Sequence, residues 1–403
     1  TAAREIGLGH RTNMILMAAF FKISNVIPID DAVEYMKQAI KKSYGKKGDA
    51  VVEMNNKAVD AGLNLLKKIN YPESWATTTE GAPMAEVADD KYFRDFVHPI
   101  TALKGNDLPV SAFDPSGVVP TATTKFEKRG IAVNVPEWDI DKCVMCNQCA
   151  YVCPHACIRP YLAKEEDLKA APANFATKDC KGAKAGFKFR MQVSPLDCSG
   201  CGNCVDVCKP GALSMVPFAK SEAEQKDNWD FAESLPKADI ELKKSSVIDS
   251  QFLQPLFEFS GACAGCGETP YIKNITQLFG DHMMIANATG CSSIYGASFP
   301  ASPYCTNAQG HGPAWANSLF EDFCEFGLGM KLGSDRIRET VASLMTKGLG
   351  CECCSEEMKA LFTKWLENRE DAAITREVAD ALVPLMEACG CDTCKALLEY
   401  KHF

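Results

Sequence analysis

The feature that most constrains this chain is a cysteine pattern that occurs twice. Each copy has four cysteines separated by two, two and three residues, with a proline shortly after the fourth. Three thiolates two residues apart can bind three irons of one cube only if the backbone between them wraps the cube, where its amide N–H groups stabilise the negative charge. The spacing therefore predicts two [4Fe–4S] clusters. The ligands are Cys143, Cys146, Cys149 and Cys153 in the first run and Cys198, Cys201, Cys204 and Cys208 in the second.

The fourth cysteine of each such run ligates the other cluster. One predicted cluster is therefore held by Cys143, Cys146, Cys149 and Cys208. The second is held by Cys198, Cys201, Cys204 and Cys153. The alternative is a pair of zinc sites or plain buried thiols. Zinc motifs pair two Cys-x2-Cys arms instead of placing four cysteines in one run, so we favour clusters.

Composition narrows the class of protein. A chain of 403 residues has room for several domains. Its net charge of −9 argues against a nucleic-acid or anionic-membrane partner, and no apolar run is long enough to span a bilayer. Eight of the twenty-one cysteines have this cluster-binding spacing, and such clusters require reduced thiolates. We expect a cytoplasmic protein from an anaerobic setting, and the N-terminus suggests part of a longer chain.

The hydrophobic pattern divides the chain coarsely. An apolar face follows Asp30-Asp31, and a second helical pattern follows Val51. Residues 75–130 have little periodicity and predict a linker. Residues 221–242 are charged and predict a connection between domains. Short apolar segments after Gly261 predict strand–turn–helix units, and residues 335–403 predict helices.

Cys263-x2-Cys266, with Cys291 further on, is a weak motif taken alone, since it fits a redox, zinc or structural role. Three cysteines also leave a cube one ligand short. The remaining cysteines are most simply free thiols, although a zinc site or the missing cluster ligand is possible for the two tight groups near the end. Those groups are Cys351, Cys353, Cys354 and Cys389, Cys391, Cys394; the scattered ones are Cys157, Cys180, Cys305 and Cys324. His155 is expected to pack near a cluster.

Several longer stretches resemble the fused, single-chain pyruvate:ferredoxin (flavodoxin) oxidoreductases. They include YGKKGDAVVEMNNKAVD, HPITALKGNDLPVSAF, KFEKRGIAVNVPEWD, CAGCGETPYIK, GCSSIYGASFP and GPAWANSLFEDFCEFGLGM. The resemblance covers the whole chain and implies a multidomain α/β and α+β fold. Its domains would be the C-terminal part of a coenzyme A-binding α/β domain (1–75), a linking domain (76–135), a two-cluster bacterial-ferredoxin-like domain (136–236) and the N-terminal part of a thiamine diphosphate-binding α/β domain (237–403).

The resemblance also implies further sites. In that family the motifs around Cys263, Cys266 and Cys291 hold a third [4Fe–4S] cluster beside the thiamine diphosphate. Glu268 matches a position that contacts this cofactor, and Cys291 lies against it. Asn13 and Asn55 match positions that touch coenzyme A. The family's G-D-G-x-A motif for thiamine diphosphate and Mg²⁺ does not occur here, nor does the later cysteine that completes the third cluster, so this chain alone would be incomplete for catalysis.

The activity implied is oxidative decarboxylation of pyruvate with coenzyme A to acetyl-CoA and CO2, with electrons passing through three clusters to ferredoxin or flavodoxin. The resemblance also implies a homodimer that includes the remaining domains of the parent enzyme. Two alternatives stay open: a stand-alone polyferredoxin-like electron-transfer subunit, and a sibling oxidoreductase that acts on another 2-oxoacid.

Overall fold

The computed structural model describes residues 2–77, 88–298, 300–318 and 323–401. The chain divides into two units, Thr1–Ala85 and Glu86–Phe403. Within the described ranges, no helix is long and apolar enough to cross a membrane. The four-domain division drawn from the sequence stays a prediction.

Helices make up the N-terminal unit. They are α1 (Ala2–Glu5), α2 (Asn13–Ser24), α3 (Ile29–Tyr44) and α4 (Asp49–Asn64), with 3₁₀ turns at Gly45–Lys47 and Glu73–Thr77. The two helical patterns predicted from periodicity are confirmed as α3 and α4. Asp30 and Asp31 lie inside the first turn of α3, where their charge favours the helix dipole, and do not cap it. Gly62 of α4 approaches the Ile15 carbonyl of α2 so closely that a β-carbon would collide with it.

The segment before the first cysteine run consists of short helical turns. They are a π-helix (Phe93–Val97), α5 (His98–Thr101) and 3₁₀ turns at Gly105–Asp107, Val110–Ala112 and Thr123–Phe126. Phe93 and Val97 pack on Ala301. The backbone N–H of Ala122 donates to the Tyr304 carbonyl at 2.7 Å. The lack of periodicity predicted here is confirmed, and the segment is anchored on residues 301–304.

The cysteine runs lie in a small α+β region. Its elements are β1 (Asn134–Trp138), α6 (Gln148–Tyr151), β2 (Ile158–Ala163), β3 (Lys178–Asp179), β4 (Lys188–Val193), α7 (Asn203–Asp206), β5 (Leu213–Pro217) and α8 (Phe218–Ser234). Strands β1 and β5 pair antiparallel, and β4 lies between β2 and β3 in an antiparallel sheet. The prediction of a charged connection over 221–242 was wrong in its first half, because α8 buries Trp229 and Ala232.

The segment around and after Cys263 contains the pair of parallel strands. Its elements are α9 (Val247–Ser250), α10 (Thr269–Phe279), β6 (Met284–Ala288), α11 (Cys291–Ser293), a π-helix (Ile294–Ser298) and β7 (Ala314–Ser318). Strands β6 and β7 are parallel. The predicted strand–turn–helix organisation is therefore confirmed for β6 and α11.

The last part of the described chain is helical, as predicted. Its helices are α12 (Phe323–Leu349), α13 (Glu356–Glu367), α14 (Ala372–Cys389) and α15 (Asp392–Leu398). They enclose an apolar core that includes Phe362, Val378 and Leu382, each at most 1% exposed. Two buried cysteines, Cys354 and Cys394, belong to the same core.

Candidate metal centres

The two cysteine runs have the same backbone conformation. Met145 and Asn147 have positive φ angles of 58° and 57°, and Gly200 and Gly202 repeat them at 70° and 82°. These left-handed residues turn the chain between successive cysteines, as the wrapping of a cube requires. The N–H of Met145 donates to the Cys143 sulfur at 3.4 Å, and the N–H of Gly200 donates to the Cys198 sulfur at the same distance. Such N–H···S bonds stabilise the negative charge of a bound cluster.

The first predicted set of four comes together in the structure. Cys149 is buried on α6, and its thiol pKa is raised to about 12, mainly by burial. The charges of Cys143, Cys146 and Cys208 contribute to this rise. Cys208 belongs to the second run, so the structure brings it near Cys149 of the first run.

The second predicted set lines a single cavity. Its walls include Cys153, Cys198, Cys201 and Cys204, together with Pro136 and Ile158. The pKa of Cys198 is raised to about 12, mainly by burial, and the charges of Cys153 and Cys201 contribute to this rise. Cys153 comes from the first run, so each predicted set contains one cysteine of the other run.

These two sets fit iron cubes better than zinc. In a zinc tetrathiolate the sulfurs lie about 3.8 Å apart, because each Zn–S bond is about 2.3 Å. Among the described residues, no three of the eight sulfurs lie within 4.8 Å of one another. A cube separates its thiolates because each binds a different iron. Buried thiols with raised pKa values become thiolates when a metal replaces their protons.

The Cys263–Cys266 loop has the same local turn and lies against the second set. Gly265 has a φ of 73°, in the position that Met145 and Gly200 occupy in the runs. A β-carbon added to Gly265 would lie 3.5 Å from the Cβ of Cys201. His155 Nε2 lies 3.2 Å from the Cys263 carbonyl oxygen. His155 therefore packs between the second set and this loop.

Glu268 lies near the buried Tyr295, and Cys291 precedes this tyrosine by four residues in the chain. Glu268 directly precedes α10, and its N–H donates to the Cys266 sulfur at 3.5 Å. Burial raises the pKa of Tyr295, and the negative charges of Glu268 and Cys266 add to the rise. Cys291 starts α11, one helical turn before Tyr295 and just after the carboxyl end of β6. Ligands of α/β folds bind at this end of parallel strands.

The two asparagines matched to coenzyme A contacts lie on neighbouring helices. Asn13 is the exposed first residue of α2. Asn55 is buried on α4, and its side-chain N–H donates to the Val51 carbonyl of the same helix at 2.8 Å. That bond occupies one amide hydrogen of Asn55, and Asn13 is accessible.

Sequence reasoning missed Lys273. This lysine of α10 is 2% exposed and donates to the Tyr151 carbonyl at 3.2 Å and to Gln251 Oε1 at 3.1 Å. Burial lowers its pKa to about 8, while the thiolate charges of Cys153 and Cys149 act in the opposite direction. Its ammonium group is therefore a buried cation beside both cysteine sets. The sequence offered no signal for it, because the residues that share its buried face of α10 are themselves polar: Thr269, Thr276 and Gln277.

Comparison with known protein families agrees with this geometry. Residues 1–65 match a family profile described as pyruvate ferredoxin/flavodoxin oxidoreductase. Residues 136–159 and 191–214 match the 4Fe–4S binding domain. Residues 78–132 match a domain of unknown function. The 4Fe–4S matches contain all eight cysteines of the two runs.

Relatives match nearly the whole chain. It is 54% identical over 387 residues to the pyruvate:ferredoxin oxidoreductase of Moorella thermoacetica, covering 95% of this chain and 33% of that protein. It is 51% identical over 386 residues to the pyruvate-flavodoxin oxidoreductase of Enterobacter agglomerans, covering 94% and 33%. It is 48% identical over 379 residues to the pyruvate dehydrogenase [NADP(+)] of Cryptosporidium parvum, covering 86% and 20%. The chain thus spans about a third of the length of the first two, and it is a homologue of a segment of the pyruvate:ferredoxin or flavodoxin oxidoreductases.

Proposed function

We propose that this chain is the electron-transfer segment of a pyruvate:ferredoxin (flavodoxin) oxidoreductase. The overall reaction converts pyruvate and coenzyme A to acetyl-CoA, CO2 and a proton, and its two electrons reduce two one-electron acceptor molecules. When bound, [4Fe–4S] clusters supply single-electron transfer at low potential. One observation supports this proposal most strongly. The Cys263–Cys266 loop packs against Cys201 and His155, which border the cavity of the second cysteine set.

That contact supports a linear order of the three proposed cluster sites. Cys263, Cys266 and Cys291 would hold the cluster next to the thiamine diphosphate. The set of Cys153, Cys198, Cys201 and Cys204 comes next. The set of Cys143, Cys146, Cys149 and Cys208 lies beyond it, and Cys149 contributes to the electrostatic environment of Cys204. Electrons would pass to ferredoxin or flavodoxin from the cluster held by Cys143, Cys146, Cys149 and Cys208.

The protein residues around the sites would position the cofactors and adjust their potentials. N–H···S bonds to Cys143 and Cys198 favour the more negative, reduced form of a cluster. The buried Lys273 ammonium favours it too, because a nearby cation stabilises added negative charge. Both effects keep the clusters able to accept electrons from a strong reductant.

Cofactor contacts outside the clusters follow from the family. Glu268 and Cys291 would contact thiamine diphosphate, and Glu268 would accept a hydrogen bond that fixes the orientation of its aminopyrimidine ring. Asn13 and Asn55 would contact coenzyme A. The Mg²⁺ ligands, the fourth ligand of the third cluster and the second copy of a homodimer would come from the remaining domains.

The two alternative functions, a polyferredoxin-like subunit and an oxidoreductase for another 2-oxoacid, are distinguished by different observations. Similarity to oxidoreductases extends over 95% of the chain, well beyond the 4Fe–4S matches, which favours an enzyme segment over a polyferredoxin-like subunit. A sibling enzyme would prefer 2-oxoglutarate or an aryl pyruvate. The names of the relatives include three electron acceptors: ferredoxin, flavodoxin and NADP(+). The electron acceptor of this protein therefore needs an assay of its own, apart from the assay of 2-oxoacid preference.

The test uses the full-length protein, prepared anaerobically with thiamine diphosphate and Mg²⁺. We expect coenzyme A-dependent reduction of ferredoxin or flavodoxin with pyruvate, and at least tenfold slower reduction with 2-oxoglutarate. Cys263→Ser should abolish it, whereas Cys305→Ser, at a buried thiol outside the three sites, should not. Absence of activity with every 2-oxoacid, in a preparation with full iron content, would contradict the proposal.

A further inference from the structure

The C-terminal helices bring six cysteines to one end of the bundle. Three lie in the turn between α12 and α13, and three lie at the turn between α14 and α15. More than thirty residues separate the two groups along the chain, so only the antiparallel packing of the helices unites them. They are Cys351, Cys353, Cys354, Cys389, Cys391 and Cys394.

Four of these sulfurs form a set without a disulfide. The Sγ atoms of Cys354, Cys389, Cys391 and Cys394 all lie within 4.8 Å of one another, and all four are free thiols. A second set of sulfurs, from Cys351, Cys353, Cys354 and Cys391, meets the same distance limit. Cys351 and Cys353 are joined to each other in a disulfide, however, so their sulfurs are not thiol donors.

The α14–α15 turn has the geometry of a metal-binding knuckle. Cys389 ends α14, and Gly390 has a positive φ of 62° that lets the chain reverse within one residue. Cys391 caps α15, where its sulfur accepts the N–H of Cys394 at 3.4 Å. Such N–H···S bonds orient thiolate ligands and lower their charge density.

The opposite turn supplies the fourth donor. Cys354 is 3% exposed and Cys394 is fully buried, and both belong to the apolar core of the bundle. The Cys389 thiol also donates to the Cys353 carbonyl at 3.3 Å, which ties the two turns together. The donors therefore converge from both turns on one point.

We propose that Cys354, Cys389, Cys391 and Cys394 bind one Zn²⁺ ion as a structural tetrathiolate site. Soft thiolates select zinc over Mg²⁺ and Ca²⁺, which require oxygen ligands. Four protein ligands leave no open position for water, which is the arrangement of structural zinc sites. The compact sulfur spacing matches a single ion, in contrast to the wider sets of the two cysteine runs.

The site would fasten the ends of two helix pairs. Zinc binding is coupled to folding wherever the ligands come from separate segments, because the unfolded chain holds no preformed site. The ion would hold the α12–α13 turn against the α14–α15 turn. This role is independent of the redox reaction proposed above.

The test measures zinc in the full chain, purified anaerobically with its iron–sulfur sites loaded. We expect one zinc per chain by elemental analysis, and zinc-edge X-ray absorption that shows four sulfurs at about 2.3 Å. The double variant C389S/C394S should lose the zinc and keep its iron. The matched double variant C351S/C353S should keep one zinc, because it removes only the disulfide pair.

The variant Cys391→His is included in case the double variant C389S/C394S fails to fold. It keeps a zinc ligand, so we expect one zinc with three sulfurs and one nitrogen. A chain without zinc after growth in zinc-containing medium, zinc coordinated mainly by nitrogen and oxygen, or loss of zinc in C351S/C353S would each overturn the proposal.

Discussion

His155 Nε2 lies 3.2 Å from the carbonyl oxygen of Cys263. His155 follows Cys153 by two residues, so this contact joins the loop of a predicted ligand of the second cluster to the loop of the third cysteine site. The ring is 4% exposed, and burial lowers its pKa. A neutral ring with its proton on Nε2 donates to the carbonyl. In the proposed enzyme this contact would fix the separation of the second and third clusters, on which the rate of electron transfer between them would depend.

Replacing this histidine should loosen the third site alone. In full-length His155→Phe, the ring volume is kept and the hydrogen bond is lost. We expect slower reduction of the two ferredoxin-like clusters by pyruvate, by about tenfold or more, and unchanged reduction by dithionite, as followed by stopped-flow absorbance. The exposed His282→Ala is the control. Equal slowing with both reductants would mean that His155 only supports the fold.

Substitution of two neighbouring cysteines tests whether Cys153, the fourth cysteine of the first run, ligates the cluster of the second run. Cys153 lines the cavity of the second set, while Cys157 donates its S–H to the Asp197 carbonyl at 2.9 Å. Cys153→Ser should remove one to four irons and change the EPR spectrum of the second cluster. Cys157→Ser should leave iron content unchanged, because its hydroxyl keeps the donor. If Cys153→Ser instead altered the cluster held by Cys143 and Cys146, the crossed assignment would be wrong.

Glu268 is tested through cofactor binding. Its carboxylate lies near the buried Tyr295 and Tyr304 and adds to the rise that burial causes in both pKa values. In the full-length enzyme, Glu268→Gln should raise the concentration of thiamine diphosphate needed for half-maximal activity and slow decarboxylation. Glu325→Gln, on the exposed first turn of α12, should do neither. Wild-type behaviour of Glu268→Gln would make Glu268 a surface residue of the α10 start.

A buried ion pair attaches the cluster region to the segment before Cys263. Arg159 of β2 contacts Glu258, and both side chains are 10% exposed. The guanidinium also lies 5.1 Å from the ring centres of Trp229 and Phe259. Arg159→Met leaves Glu258 buried without its cation and should cost about 3–5 kcal/mol of unfolding free energy.

The matched control for this pair is the exposed contact of Lys331 with Asp335. Asp335→Asn should cost at most about 1 kcal/mol. Chemical denaturation under anaerobic conditions measures both values. Similar small losses for the two variants would show that the Arg159–Glu258 contact contributes little to stability.

The two cysteine runs were recognisable from the sequence because cluster chemistry fixes the spacing of ligands over a few residues. The structure places Cys153 and Cys208 with cysteines of the other run, and the role of each cysteine as a ligand stays a prediction. Cys263-x2-Cys266 was ambiguous in the sequence because its neighbour Cys201 is distant along the chain. Helix α8 was mistaken for a connection because its buried side chains include Ser221 and Asn228, which weaken the apolar periodicity. The convergence of Cys354 with Cys394 could not be predicted, since it depends on how α12 to α15 pack.

The two cysteine runs are predicted to hold two [4Fe–4S] clusters. The most direct measurement is iron, sulfide and zinc analysis of the anaerobically reconstituted chain, with low-temperature EPR after reduction. We expect about eight irons in two cubes, with spectra broadened by magnetic coupling between them, whatever the state of the third site. Negligible iron with zinc bound in both runs would contradict this prediction.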